Sequence, residues 1–124
     1  MTTEDHKVEA GCVTPCLGTE TKNWYAWDNV QPPPPSSFHV TGEVFVPNPG
    51  VEVLLVPKVP QGINPAILLM DLILVQRSGV WPRVLTWKTV RYDLTYGSGN
   101  SGYTQVNVFC GDEIVADLEV ETAQ

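Results

Sequence analysis

Apolar and polar residues alternate along much of the chain. In residues 38–44, Phe38, Val40 and Val44 share one phase, while His39, Thr41 and Glu43 share the other. That period of two marks a strand with one buried face. Pro47-Asn48-Pro49-Gly50 is a turn signal, and residues 51–56 return as a second strand, expected to hairpin with the first. Pro57-Lys58-Val59-Pro60 leads away along an extended, edge-like path.

Residues 61–76, QGINPAILLMDLILVQ, form the most apolar stretch. The run from 66 to 75 is about half the roughly 20 residues that a membrane-spanning helix needs, and Asp71 interrupts it. Bounded by Pro65 and by Ser78-Gly79, it predicts a core strand buried on both faces. Asp71 shares its phase with Ile67, Leu69, Ile73 and Val75, so it needs a partner or water. Arg91 or a threonine of the neighbouring long strand is the expected partner, in a structural contact.

Residues 84–96 predict a long strand whose parity changes partway: Leu85 and Trp87 oppose Val90, Tyr92, Leu94 and Tyr96. A β-bulge near Lys88 would return both sets to one face. The Gly97-Ser98-Gly99-Asn100-Ser101-Gly102 loop leads to a strand over residues 103–110, then a tight turn at Gly111-Asp112. In the last strand Ile114, Ala116, Leu118 and Val120 alternate with Glu113, Asp117, Glu119 and Glu121.

Six strands with short polar turns predict an all-β fold, an antiparallel β-sandwich, immunoglobulin-like or similar, over residues 37–124. Residues 1–36 are expected as an irregular N-terminal extension that ends in a stiff proline-rich hinge, Gln31 to Ser37. The loop motifs Asn48-Pro49-Gly50 and Trp81-Pro82-Arg83 do not follow the order and spacing of the immunoglobulin-like cysteine-protease inhibitors, and no family is assigned.

The chain has 124 residues, enough for one modest core. Its 11 prolines and 10 glycines favour turns over long helices. The net charge of -7 disfavours nucleic acid and anionic membrane surfaces as partners. Arg77, Arg83, Lys88 and Arg91 nevertheless cluster, opposite in sign to Asp112, Glu113, Asp117, Glu119 and Glu121. Within the fold or across a subunit contact, a basic strip could meet an acidic one. The N-terminal residues show no basic and apolar leader pattern, which sets the expectation of a cytoplasmic protein with reduced thiols.

Candidate chemistry is sparse. His6 and His39 are the two histidines, and a hydrolytic triad needs a base that converges with a nucleophile and an orienting acid. The 97–102 loop lacks the ending of a phosphate-binding loop and the spacing of a nucleophile elbow. Cys12 and Cys16 are spaced C-x3-C without a second matching pair, so no metal and no cofactor is expected; the pair is expected as free thiols, with a small-loop disulfide and a metal site as the alternatives. Cys110 shares the phase of Val106 and Val108 and reads as a small core residue. No catalytic residue is assigned.

Aromatic residues carry the functional expectation. Trp24, Tyr25 and Trp27 precede the proline run, and Trp81 sits in a loop beside Arg83. These five residues are the candidate binding set, since aromatics and arginine anchor interfaces. The expected role is a non-enzymatic module that binds a protein partner or its own copy. The alternative is a carbohydrate- or small-ligand-binding module that uses loop aromatics.

Overall fold

The structure is a computed structural model that describes residues 12–14, 16, 19–97 and 99–123, with backbone alone for 12–14. It is all-β, with no helix among the described residues. A three-residue β1 (Cys12–Thr14) precedes seven longer strands. These are β2 (Thr21–Asn29), β3 (Ser36–Val46), β4 (Val51–Pro57), β5 (Ile67–Gln76), β6 (Thr86–Tyr96), β7 (Gln105–Cys110) and β8 (Glu113–Ala123).

The seven long strands form one mixed sheet that curls into a nearly closed barrel, in the order β4-β5-β7-β8-β2-β3-β6. Residues 74–76 of β5 pair with β1, beyond the 67–71 segment that pairs with β7. Two pairings are parallel, β5 with β7 and β2 with β8, so the sheet is not the purely antiparallel one expected. β4 and β6 lie near each other at the two ends of this order, and no ladder joins them.

The inward layer follows the alternation read from the sequence. Phe38, Val40, Val44 and Val46 of β3 face Met70, Leu72 and Leu74 of β5, with Val90, Val106 and Val108 completing the core. β5 is buried on one face alone: Leu68, Met70, Leu72 and Leu74 are inside, whereas Ile67, Leu69, Asp71, Ile73 and Val75 are half-buried on the outside. Asp71 takes its hydrogen bond from Lys58 Nζ at 2.9 Å, not from Arg91 or a threonine. β6, which carries Arg91, is not a neighbour of β5.

Several local expectations change in the same way. The Pro47–Gly50 turn carries the chain from β3 to β4 but makes no hairpin, because β3 already pairs with β2 on one edge and β6 on the other. The β3–β6 register runs unshifted from Ser36↔Tyr96 to Val46↔Thr86, so β6 has no bulge and Trp87 stays on the outer face. There it meets the Phe45 ring at 4.8 Å, and Lys22 Nζ lies 4.0 Å from its centroid. A shift does occur between β7 and β8, at Val108/Phe109. It turns Ile114 outward, 55% exposed, while Ala116, Leu118 and Val120 keep their inward phase.

The irregular extension is corrected from Thr21 onward. β2 lies inside the sheet, antiparallel to β3 and parallel to β8. The prolines are therefore the connection between two neighbouring strands, Asn29 pairing with Ser37 across it, and not a spacer between two parts. Cys110 is buried as expected, but in a disulfide with Cys16, their Cα atoms 5.2 Å apart. This bond ties the segment after β1 to the end of β7 and replaces the expectation of reduced thiols. His6 and the Cys12 side chain lie outside the described residues.

Truncating the inner face of β5 should cost far more than truncating the outer. Met70→Ala is expected to lose about 2–5 kcal/mol of unfolding free energy, the range for buried large-to-small changes, and Ile73→Ala less than half as much. Denaturant titration of the two variants checks the assignment of faces. Thiol titration of the unfolded, unreduced protein should find one reactive cysteine in place of three, and reduction should remove about 2–5 kcal/mol.

Candidate interaction surfaces

The five candidate residues fall in three separate places. In an extended strand neighbouring side chains point to opposite faces, so β2 divides its aromatics. Trp24 packs inward against the core, directly over Gly42, where a Cβ would collide with its ring. Only glycine on β3 leaves room for it. Tyr25 and Trp27 stand on the outer face, their rings stacked with centroids 5.1 Å apart. Tyr25 donates a hydrogen bond to Glu121 of β8 at 2.9 Å, which holds its hydroxyl pKa above the usual value.

Trp81 and Arg83 belong to the loop between β5 and β6, at the end of the barrel that also holds the Pro47–Gly50 turn. Trp81 lies across Gly50, whose missing side chain makes the contact possible, and its indole N–H donates to the Arg77 carbonyl at 2.9 Å. Arg77 N in turn donates to the Gly50 carbonyl at 2.8 Å. Around this anchor, Glu52 accepts from Arg77 Nη1 at 2.7 Å, and Lys88 Nζ donates to the Pro49 carbonyl at 2.6 Å. Together with Ser78 these groups line a cleft of about 300 Å³. Beyond the anchored base, the loop exposes Val80 fully, Val84 by 55% and Leu85 by 64%. Val84 and Leu85 were expected as the start of the strand. They precede β6, unpaired, and so carry no inward phase.

Two polar clusters were missed. On the outer face of the sheet, Ser37 Oγ lies 2.8 Å from His39 Nε2, and His39 Nδ1 lies 2.5 Å from Asp93 Oδ1. The Trp27 ring packs against the imidazole at 4.8 Å, and Arg91 Nε donates to both oxygens of Asp93 at 2.9 Å. The Arg91 hydrogen bond, and after it that of His39, hold the Asp93 carboxyl below the usual carboxylate range. The order serine–histidine–carboxylate is that of a hydrolytic triad. Yet β3 is paired on both edges, so the backbone N–H groups beside Ser37 are engaged in ladders and cannot form an oxyanion hole. That stabilisation is commonly the largest part of acyl-transfer catalysis. The cluster is a hydrogen-bonded brace across β3 and β6. Its signal in the sequence was the shared phase of Ser37 and His39; Asp93 arrives only through strand pairing.

The second missed cluster is internal. Asp28 of β2 is 2% exposed and accepts hydrogen bonds from Tyr96 Oη (2.6 Å), Ser101 N (3.2 Å) and Ser101 Oγ (3.1 Å). Burial of the Tyr96 hydroxyl and its bond to Asp28 push its pKa well up. Three donors offset the desolvation of the buried carboxylate and fasten the glycine-rich loop to the barrel.

No group of three or more histidine, cysteine, aspartate or glutamate side chains among the described residues could hold a metal ion. None of the five β8-region acids forms an ion pair there either; Asp117 accepts from Gln105 and Glu121 from Tyr25. The basic strip and the acidic strip therefore do not meet within the described fold. No protein-family model, curated protein or solved structure matches the chain.

Tyr96→Phe should leave Asp28 with Ser101 alone and cost about 1–3 kcal/mol, the range for an underserved buried polar group, measured by denaturant titration. A second outcome follows from Asp93. Its folded pKa lies below the unfolded value, so its contribution is present above about pH 4 and is lost as pH falls through the folded pKa. The stability gap between the wild type and Asp93→Asn should stay level from neutral pH down to about pH 5 and narrow in more acid solution.

Proposed function

We propose that the chain is a non-enzymatic all-β module that binds a protein partner, with the β5–β6 loop as its contact element. One observation carries this reading: Val80, Val84 and Leu85 are exposed by 100, 55 and 64% on a short loop whose base is pinned by Trp81. Apolar side chains in such a run lose little on docking and gain from leaving water. Fixing the base beforehand reduces the ordering cost of binding. Arg83, exposed in the same loop, calls for a carboxylate at the rim of the partner's apolar patch. The Cys16–Cys110 bond supports an oxidising compartment for this activity over the cytoplasm suggested by the N-terminal residues.

A second reading has a specific observation in its favour. The cleft of about 300 Å³ beside Trp81, with the Arg77–Glu52 pair and Lys88, has the size and the mix of ring surface and fixed polar groups suited to a sugar or another small polar ligand.

Val80→Asp combined with Leu85→Asp should leave the unfolding midpoint unchanged and abolish capture of a protein that the wild type retains from extracts of its source. Retention of every captured protein by this variant sinks the loop reading. Titration with a panel of mono- and oligosaccharides, followed by tryptophan fluorescence in the wild type and in Trp81→Ala, tests the second reading; saturable quenching that vanishes in Trp81→Ala would favour it.

A further inference from the structure

The loop between β5 and β6 offers a backbone as well as apolar side chains. Its residues, 77–85, are all exposed, and from Val80 to Leu85 the chain has neither turn nor bend. The backbone groups of that segment enter no ladder. Pro82 fixes its own φ and favours an extended Trp81, so the path is stiff at its middle. Both flanks are held. On one side Trp81 covers Gly50, and its indole N–H donates to the Arg77 carbonyl. On the other, Thr86 Oγ1 donates to the Val84 carbonyl at 2.7 Å, and Thr86 pairs with Val46 as the first residue of β6. A peptide lies in a peptidase cleft in this form, a short extended segment with free backbone groups. Main-chain hydrogen bonds then supply affinity, and pockets for side chains supply specificity.

Arg83 says which pocket fits. The other described lysines and arginines are engaged: Lys22 with Glu43, Lys58 with Asp71, Arg77 with Glu52, Arg91 with Asp93, and Lys88 with the Pro49 carbonyl. Among the described residues Arg83 alone of these cations has neither ion pair nor hydrogen bond, and it stands exposed within the stiff segment. A guanidinium offered in this way matches a pocket with a carboxylate at its base, the means by which trypsin-type peptidases select arginine. Val80 on one side of it, and Val84 and Leu85 on the other, offer apolar contacts to the walls of the cleft.

We propose that residues 80–85 are a substrate-like inhibitory loop for a serine peptidase that cleaves after arginine, with Arg83 in its specificity pocket. This rests on the loop reading above and names the class of its partner. The anchors favour inhibition over destruction. Hydrolysis of the Arg83–Val84 bond adds one water and leaves an Arg83 carboxylate and a Val84 amine. The Trp81 contact retains the first end and the β6 ladder retains the second. The cut chain therefore stays in the cleft, its two ends side by side, and the bond can re-form with loss of that water. A free peptide of the same sequence lacks the anchors and is released after cleavage.

The test sets the full chain, its disulfide intact, against trypsin and a panel of serine peptidases of the same arginine specificity, with an arginyl chromogenic substrate. The wild type should inhibit at least one of them competitively. Arg83→Ala should weaken that inhibition about thirtyfold or more, the loss of one buried charge pair. Arg83→Leu should lose it as well and gain inhibition of chymotrypsin, whose pocket is an apolar slot. Trp81→Ala, with an unchanged unfolding midpoint, should be cut rapidly after Arg83, as read by mass spectrometry. Absence of inhibition across the panel overturns the proposal. So does inhibition indifferent to Arg83→Ala, or a wild type cut after Arg83 as fast as Trp81→Ala. If the panel fails while Val80→Asp with Leu85→Asp still abolishes capture from extracts, the peptidase class alone is wrong; if the wild type captures nothing either, the loop reading falls with it.

Discussion

The double pairing of β8 is the constraint on which the rest of the structure depends. Residues 113–119 of this strand run antiparallel to β7, and residues 120–123 run parallel to β2. Without that change of partner, β4-β5-β7 and β2-β3-β6 would be two three-stranded pieces with no ladder between them. Each would leave a row of core side chains uncovered by the other. With it, Val106 and Val108 on one side and Ala26 and Val40 on the other close over a single core. The Cys16–Cys110 bond reinforces the β1–β5–β7 side, where β1 and β7 occupy successive parts of the β5 edge.

This arrangement decides where chemistry can and cannot occur. A central strand such as β3 spends its backbone groups on two neighbours, which is why a serine, a histidine and a carboxylate can line up beside it without the means to stabilise an oxyanion. Interaction is left to the parts that the ladders do not consume. Foremost among these is the loop between β5 and β6, raised on the Trp81–Gly50 contact. Lys88, near the start of β6, is inward in phase and bonded to the Pro49 carbonyl beneath that loop.

The period-two pattern determined by itself that the chain is all-β, placed six of the seven long strands, and sorted inward from outward residues along β3, the inner face of β5 and most of β8. That is because a side chain's face depends only on its parity within a strand. The pattern said nothing about partners. Asp71 with Lys58, His39 with Asp93, Asp28 with Tyr96 and Cys16 with Cys110 each join residues that meet only once the strand order exists. The tertiary structure alone decided that order, the parallel pairings and the place of β2 within the sheet. Many strand orders satisfy one alternation of apolar and polar residues, and only the packing of a single shared core selects among them.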